Sequence, residues 1–335
     1  LATPTGFTTP AQRNSRTVTV VAPSISVGSR SIGKDLQSSG SGSLDAPAPP
    51  GNLTVTLSSA DPNKLLLSNT AGGTGAASIQ VVVNAGSTQL PNFYLFALDR
   101  SGNVELSATA NGFDTGRAPI TLYPSGFVFY SSSASNFNTT TLSPNTSRTI
   151  GAARLNETTS SYAQLQGLRG GLQVSVPISS SDPSVGTLTV NPVVFNGGDS
   201  TVNTEFAPQS PGATTLDIGV PTGFDMPSNR TQITATVQSP PINTNNFQVG
   251  KNLQTGVSWN LGAPAPPGNL DVQISSADPG KLLLSDDPGQ IGSGSITVTV
   301  PAGSSQIPQF FAQSLSDMGT VLLTVSATDF ETNTS

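Results

Sequence analysis

Residues 46–68 read APAPPGNLTVTLSSADPNKLLLS, and residues 263–285 read APAPPGNLDVQISSADPGKLLLS. The two stretches differ at only four of 23 positions. At the same offset of 217 residues the match extends without a gap from Leu1/Ile218 to Ala118/Ser335, and 55 of these 118 aligned pairs are identical. A self-match of this length indicates a duplicated structural module.

The middle of the chain contains a more distant copy of this module. Ser180-Ser181-Asp182-Pro183 resembles Ser59-Ala60-Asp61-Pro62, and residues 147–151 (SRTIG) resemble residues 29–33 (SRSIG). At 335 residues the chain is long enough for two or three domains. The copies predict a closing strand within 1–22, domain A at 23–124, domain B at 125–240 with a longer and diverged first half, and domain A′ at 241–335.

Each unit shows the pattern of β-strands. Apolar residues alternate with Thr, Ser or Gln over Asn52–Leu57, Ser78–Val83, Val104–Ala110 and Pro119–Tyr123. This period of two buries one face of a strand, and Gly, Pro and Asp-Pro turn signals between the strands are typical of a β-sandwich. We therefore predict an all-β chain with essentially no helix. Four phenylalanines that recur in register are expected in the cores: Phe93, Phe113, Phe310 and Phe330.

The composition excludes several classes of function. Charged residues make up only 10% of the chain, the net charge is −6, and the basic residues are scattered singly. This pattern argues against a nucleic-acid partner, and no apolar run is long enough for membrane insertion. The chain has no Cys and no His, which excludes Ser-His and Cys-His catalysis and the common zinc and copper sites. We expect no enzymatic activity and no cofactor.

The residue types suggest two further kinds of site. Asp286-Asp287, with Asp278 nearby, is the only adjacent carboxylate pair, but no calcium-loop pattern surrounds it, so a solvated loop rather than a metal site is expected. Asn-x-Ser/Thr matches allow glycan attachment, although chance matches are frequent in a chain this rich in Ser, Thr and Asn. These candidate positions are Asn52, Asn138, Asn145, Asn156, Asn229 and Asn333.

Three tandem units with Ser-Ser-x-Asp-Pro turns, a late glycine and a closing Thr/Val strand resemble bacterial immunoglobulin-like repeats. Such repeats build the stalks of surface adhesins and related extracellular proteins. The resemblance covers essentially the whole chain. It implies seven-stranded sandwiches, an extracellular location at the cell surface and a mostly mechanical role, and it brings no catalytic residues with it.

The closing strands are out of phase with the domains. Domain A is expected to close with Arg117–Tyr123, whereas domain A′ reaches only Ser335, the counterpart of Ala118. Residues 1–22 match 218–239, which contain the closing strand of domain B. The sequence thus predicts that A′ lacks its last strand and that Arg16–Val21 is a closing strand without a domain before it.

An incomplete sandwich exposes an apolar groove and unpaired backbone groups, which an alternating strand fits. We therefore hypothesise that one copy of the chain inserts a strand into domain A′ of the next copy, forming a head-to-tail homopolymer or filament. The residues of this inter-subunit strand are Thr17, Val18, Thr19, Val20 and Val21. The alternative is a window cut from a longer tandem array.

The leading functional interpretation is an extracellular structural protein that forms a rod or filament. The alternative is an adhesin stalk or glycan-binding module from a longer tandem-repeat surface protein, with other cell-surface molecules as possible partners. Domain B would then supply the binding loops, and the aromatic residues available to stack on sugars there are Tyr130, Phe137 and Tyr162. A spacer inside a larger enzyme or transporter remains a third possibility.

Overall fold

A computed structural model of the chain describes residues 4–8 and 16–335. Backbone contacts divide it into two compact units. Unit 1 comprises residues 1–125 together with the short segments 166–172 and 196–198, and unit 2 comprises 126–165, 173–195 and 199–335. Both units are built from immunoglobulin-like β-sandwiches, as the sequence predicts, and the helical content of the described residues is a single 3-10 turn at Ser131–Ala134. That turn is neither long nor apolar enough to span a membrane.

Unit 1 contains the sandwich of domain A. Its strands are β1 (Ile25–Val27), β2 (Arg30–Gly33), β3 (Leu36–Gly40), β4 (Gly42–Leu44), β5 (Leu53–Ser59), β6 (Leu65–Ser68), β7 (Ser78–Val83), β8 (Phe93–Ala97), β9 (Asn103–Thr109), β10 (Gly116–Tyr123) and, from segment 166–172, β15 (Gly167–Leu168). One sheet has the order β2-β10-β9-β5-β7 and the other the order β15-β3-β8-β6, while β1 pairs with β4. The predicted strands at 52–57, 78–83, 104–110 and 119–123 correspond to β5, β7, β9 and β10, so these predictions are confirmed.

Unit 2 begins with the sandwich of domain B. Its strands are β11 (Ser125–Phe129), β12 (Phe137–Thr140), β13 (Thr146–Leu155), β14 (Tyr162–Leu165), β16 (Gln173–Val176), β17 (Ile178–Ser180), β18 (Gly186–Leu188), β19 (Val193–Asn196), β20 (Thr201–Pro208), β21 (Gly212–Ile218) and β22 (Gln232–Gln238). They form sheets β11-β13-β20-β18, with β14 also on β13, and β12-β22-β21-β17, and β16 pairs with β19.

Domain A′ completes unit 2. Its strands are β23 (Ile242–Asn243), β24 (Gln254–Val257), β25 (Asn260–Leu261), β26 (Leu270–Ser276), β27 (Leu282–Ser285), β28 (Ser295–Val300), β29 (Phe310–Ser314), β30 (Leu323–Ala327) and β31 (Asn333–Thr334). The sheets are β24-β29-β27 and β28-β26-β30-β31, and β23 pairs with β25.

The aspartate turn recurs in all three domains. Asp61 Oδ1 accepts the amide hydrogen of Asn63 at 3.1 Å, and Asp182 and Asp278 accept the amides of Ser184 and Gly280 in the same way at 3.0 and 3.1 Å. An aspartate that bonds the backbone two residues ahead stabilises a tight turn. The turns predicted from the Asp-Pro signals are confirmed.

The core predictions hold with one exception. Phe93 and Phe310 are fully buried and Phe330 is 7% exposed, but Phe113 is only half-buried, so its assignment to the core is wrong. Phe113 lies in the turn between β9 and β10, where a side chain is less enclosed than in a central strand. Trp259 fills the A′ core and packs against Phe310, with the ring centroids 5.1 Å apart. Its counterpart in domain A is Gly42.

The match between residues 29–33 and 147–151 does not reflect equivalent positions. In domain A, β2 pairs in parallel with the closing strand β10, and in domain B the parallel partner of β22 is β12. Residues 147–151 lie in β13, which pairs antiparallel with β20 as β3 does with β8. The sequence similarity is therefore shifted by one strand.

Candidate strand-acceptor site

In domain A the closing strand β10 lies between two neighbours. It pairs antiparallel with β9, where Ile120 is opposite Val104, and in parallel with β2, where Ile120 is opposite Arg30 and Leu122 opposite Ile32. The inward side chains of β10, including Ile120 and Leu122, are fully buried. The amide of Lys34 also donates to the carbonyl of Tyr123 at 2.8 Å. Thus β10 joins the β2 edge to the rest of the sheet.

In domain A′ the counterpart of β10 is the two-residue strand β31. Asn333 is opposite Val325 and Thr334 opposite Thr324, and Ser335 exchanges both backbone hydrogen bonds with Leu323 at 2.8 and 2.9 Å. This is the register that Gly116–Ala118 has on β9 in domain A. Within the described residues, 247–250 and 320–322 form no strand pairing, although their counterparts 30–33 and 103–105 lie in β2 and β9.

A groove of about 620 Å³ occupies the place that β10 fills in domain A. Its lining includes residues 247–250 on one side and 320–323 on the other, with Ser335 at one end. Val249 and Val321 are half-buried and rest on the A′ core, whereas their counterparts Ile32 and Val104 are 0% and 3% exposed under β10. The floor of the groove is therefore apolar surface that a strand in the position of β10 would remove from water.

The rim of the groove is more apolar than the same region of domain A. Met318 is 79% exposed and Leu322 is 54% exposed. The counterparts are Ser101 and Glu105, and the Glu105 carboxylate is paired with Arg117. Met318 and Leu322 were not singled out from the sequence, since a single exposed apolar residue is ordinary and only the groove beside them makes them informative.

The predicted inter-subunit strand is exposed. Val18, Val20 and Val21 are 80%, 89% and 76% exposed, and residues 16–22 take part in no strand pairing within the described part of the chain. Residues 1–3 and 9–15 of the predicted 1–22 segment lie outside the described residues. Exposed valines in alternation with threonines form one apolar edge, which matches the pattern of a closing strand.

The duplication supplies a register for this strand. Val18 and Val20 align with Ala235 and Val237 of β22, both of which are buried. In the parallel pair with β12, Ala235 takes the position that Ile120 has in domain A. By this correspondence Val18 aligns with Ile120 and Val20 with Leu122, and Thr17, Thr19 and Val21 align with the alternate positions.

The six glycosylation candidates lie in different settings. Asn138 and Asn145 are exposed on domain B. The side-chain oxygens of Asn52, Asn156 and Asn229 accept backbone hydrogen bonds at 2.9–3.0 Å from Ala85, from Thr158 and Thr159, and from Tyr162. Asn333 is half-buried, and its Nδ2 donates to the carbonyl of Ile242 at 2.7 Å. A glycan on Asn333 would break that contact, so this candidate is the least accessible.

The carboxylates considered for calcium serve local turns. Asp278 forms an ion pair with Lys281 at 3.1 Å, and Asp287 Oδ1 accepts the amide of Gly289 at 2.8 Å. Asp286 is exposed. Across 4–8 and 16–335 no group of three or more acidic side chains is placed to hold a metal ion.

The aromatic residues of domain B are engaged with arginines. The guanidinium carbon of Arg148 lies 3.4 Å from the ring centroid of Phe137, and that of Arg230 lies 4.4 Å from the centroid of Tyr162. Tyr130 packs against Tyr162 with the ring centroids 6.3 Å apart. A sugar that stacked on the faces of Phe137 or Tyr162 covered in this way would have to displace a cation–π contact.

Comparison with known proteins gives only distant structural similarity. No protein-family model matches the chain. A search of curated proteins gives no match either. Solved structures with similarity include Yersinia pseudotuberculosis InvD (12% identity, 93% of this chain and 95% of that one, TM-score 0.29), the Yersinia pseudotuberculosis adhesin InvE (14%, 63% and 57%, 0.25), and domains 4 and 5 of the S-layer protein SbsC (10%, 55% and 75%, 0.26). With TM-scores below 0.3, these similarities carry no argument about what this chain does.

Proposed function

We propose that the chain is an extracellular structural protein whose subunits join head to tail by strand addition. Thr17–Val21 of one copy would occupy the A′ groove of another copy, in the place that β10 has in domain A. The observation that carries the proposal is the apolar groove between residues 247–250 and 320–322, whose duplicate in the same chain is filled by a strand.

The chemistry of the two surfaces is complementary. An inserted strand would bury Val18 and Val20, and each buried valine contributes about 1.5–3 kcal/mol. It would also pair with backbone groups on both sides of the groove, at Phe247–Gly250 and at Thr320–Val321, as β10 does in domain A. Part of this gain is offset by the loss of translational and rotational freedom on association.

The composition fits a structural role. Charged residues are only 10% of the chain, and both Cys and His are absent, which removes the side chains most often used in catalysis. We propose an extracellular location because the sequence resembles bacterial immunoglobulin-like repeats. An adhesin stalk remains the alternative for this class of protein.

The experiment compares two double variants of the donor strand. Val18→Asp/Val20→Asp places carboxylates in the groove, while Thr17→Asp/Thr19→Asp places them on the outward face. Sedimentation velocity and electron microscopy are expected to show concentration-dependent oligomers for the wild type and for Thr17→Asp/Thr19→Asp. Val18→Asp/Val20→Asp is expected to remain monomeric, because unpaired charges in an apolar groove are costly. A wild type that stays monomeric at high concentration would overturn the proposal.

The register can be tested with engineered cysteines, since the chain has none. Thr121 lies opposite Asn103 in domain A, so Thr19 is expected opposite Thr320, within the distance that a disulfide spans. Thr19→Cys/Thr320→Cys should form covalent oligomers under mild oxidation. Thr17→Cys/Thr320→Cys, two residues out of register, should form far fewer. Equal cross-linking of both variants would contradict the proposed register.

A further inference from the structure

In domain A the edge of the sheet β3-β8-β6 is covered by a segment from later in the chain. Segment 166–172, named here the cap segment, adds strand β15 to the outer edge of β3, with Leu168 opposite Leu36 and Gly167 opposite Gln37. Leu168 and Leu36 are fully buried and Gln37 is 6% exposed. The cap segment therefore converts an edge strand into an internal one.

Polar contacts fix the two ends of the cap segment. The side chain of Gln166 accepts from the amide of Gly33 at 2.9 Å and donates to the carbonyl of Ser31 at 2.7 Å. At the other end the amide of Arg169 donates to the carbonyl of Asp35 at 3.0 Å, and its Nε donates to the Asp35 carboxylate at 2.8 Å. Side-chain and backbone groups thus recognise an extended segment in a single register.

A glycine is required within the cap segment. A Cβ on Gly170 would collide with the backbone of Gly72 and Gly73. The backbone of Gly197 is similarly close to Gly170. The segment Gln-Gly-Leu-Arg-Gly-Gly-Leu (166–172) therefore fits this surface in three ways. Its first leucine is buried, the side-chain amide of its glutamine is hydrogen-bonded, and Gly170 allows the two backbones to approach closely.

The same edge of domain A′ is uncovered. Leu253, the counterpart of Leu36, is 64% exposed, and Gln254, the counterpart of Gln37, is exposed as well. Strand β24 pairs only with β29 among the described strands, so its outer edge is open.

We infer that the β24 edge of domain A′ is a docking site for the cap segment of a further B-type unit. The occupant is an extended segment of the type Gln166–Leu172, with its leucine placed on Leu253. The internal duplicate supports this occupant, because the same edge, 217 residues earlier, holds this segment. The cap segment of an identical copy is already engaged on its own domain A, so a B-type unit with an unengaged cap segment is the partner.

Two substitutions define what the partner can contain. Asn252 stands where domain A has Asp35, so the ion pair made by Arg169 has no counterpart, and a neutral residue at that position is sufficient. Gln290 stands where domain A has Gly73, and Gly289 does not share the positive φ of its counterpart Gly72, so the backbone that requires Gly170 in domain A differs at this edge. The partner therefore needs the leucine of the cap segment but not its arginine.

The experiment uses thiol reactivity at a single introduced cysteine. Leu253→Cys in the full chain is expected to react rapidly with a maleimide because Leu253 is exposed. The wild-type chain contributes no thiol, so the signal comes from the introduced cysteine alone. The full chain is then extended after Ser335 with a second copy of residues 119–240, which supplies the missing closing strand and a B-type unit. Reactivity at Leu253→Cys should fall by about tenfold or more, as for a side chain that becomes part of a protected edge.

Two controls separate this inference from the proposed function. An extension with residues 119–124 alone supplies the strand without a cap segment, and Leu253→Cys should then stay reactive. In the longer extension, Leu168→Asp in the appended copy should restore reactivity. Unchanged reactivity in the 119–240 extension would overturn the inference, even if self-assembly through the groove is observed. Protection that appears in the unextended chain only at high concentration would assign the edge to a second copy and would also overturn it.

Discussion

The guanidinium of Arg148 lies 3.4 Å from the ring centroid of Phe137 inside domain B, and the arginine is only 4% exposed. Burial lowers the pKa of this arginine from its usual value through desolvation. Its Nε has no hydrogen-bond partner in the described structure. Replacing a buried charge by an apolar residue of similar volume is often neutral or stabilising.

Arg148→Met is therefore expected to leave the free energy of unfolding unchanged or raise it by about 1 kcal/mol. Arg148→Ala should lower it by about 2–3 kcal/mol, because it leaves a cavity beside Phe137. Urea denaturation followed by circular dichroism measures both. Arg230→Met, which removes an exposed arginine from the face of Tyr162, is the control and should change stability by less than about 0.5 kcal/mol. A loss above 2 kcal/mol in Arg148→Met would show that the charge itself stabilises the fold.

Gly40 is required under the ring of Phe93. A Cβ at this position would overlap one edge of the ring, whereas the counterpart in domain A′ is Val257. We expect Gly40→Ala to lower the free energy of unfolding by about 1–3 kcal/mol through overpacking, and Gly40→Ala/Phe93→Leu to recover part of that loss. Thermal unfolding of both variants, with exposed Ser39→Ala as the control, tests this expectation. Equal stability of Gly40→Ala and wild type would contradict it.

The ion pair between Asp35 and Arg169 is partly shielded from water. The two side chains are 16% and 25% exposed and 2.8 Å apart. A double-mutant cycle with Asp35→Asn and Arg169→Met is expected to give a coupling energy of about 1 kcal/mol, falling with added salt. The Lys64–Asp99 pair, at 3.1 Å but 43% and 37% exposed, should give about 0.5 kcal/mol or less. Reversed magnitudes would mean that exposure does not set the strength of these pairs.

The turn at Asp182 predicts an acid-dependent loss of stability. The hydroxyl of Ser184 donates to the carboxylate at 2.6 Å, and this bond, followed by the Ser184 amide, holds the pKa of Asp182 below 3.8. A depressed pKa in the folded state stabilises the protein above the unfolded value, and this contribution is lost as the pH falls through the folded pKa. Ser184→Ala should therefore raise the Asp182 pKa toward 3.8 and flatten the pH dependence of stability below about pH 4.

Carbon-detected NMR titration of the Asp182 carboxyl group measures this change. Ser210→Ala is the control, because its hydroxyl contacts the Ser184 carbonyl rather than the carboxylate. The titration midpoint should be unaffected by that control. An unshifted midpoint in Ser184→Ala would remove the hydroxyl as the cause.

Amide exchange should distinguish the two copies of the duplicated module. Residues 30–33 are held by β10, whereas residues 247–250 have no strand partner in the described structure. We expect exchange at Ile32 to be slower than at Val249 by at least about tenfold at concentrations where the chain is monomeric. The central strands β5 and β26 provide the matched control and should exchange at similar rates. Slow exchange at 247–250 in the monomer would mean that the groove is closed from within.

The fold was largely predictable because strand periodicity and the duplication both act locally. The predicted strands in domain A and the aspartate turns are found, since alternation and turn chemistry are properties of short segments. The equivalence of 29–33 with 147–151 failed because pairing partners are set by distant strands. The prediction that Phe113 is in the core was wrong for a related reason. A residue that recurs at the same position of two copies need not be buried, because its burial depends on how much of the ring the surrounding turn covers.

For the acceptor site, the sequence predicted only that domain A′ lacks its last strand. The apolar rim of the groove at Met318 and Leu322, and the covered edge of domain A, depend on which surfaces meet in three dimensions. The glycine pair of Gln-Gly-Leu-Arg-Gly-Gly-Leu was a sequence signal for the cap segment. Because this segment lies in the diverged half of domain B, comparison of the copies did not identify it. Sequence similarity between copies indicates shared structure, whereas differences in burial between them indicate where a partner belongs.

The parallel pairing of β2 with β10, with Arg30 opposite Ile120 and Gly33 opposite Tyr123, has a consequence for how tension is borne. The first residue of β2 and the last residue of β10 lie at opposite ends of this parallel pair, so a pull between these two points slides the strands along each other. All the hydrogen bonds between them then resist together instead of opening one at a time. Domain B repeats the arrangement with β12 and β22. A strand seated in the A′ groove would place the joint between subunits under the same shear geometry.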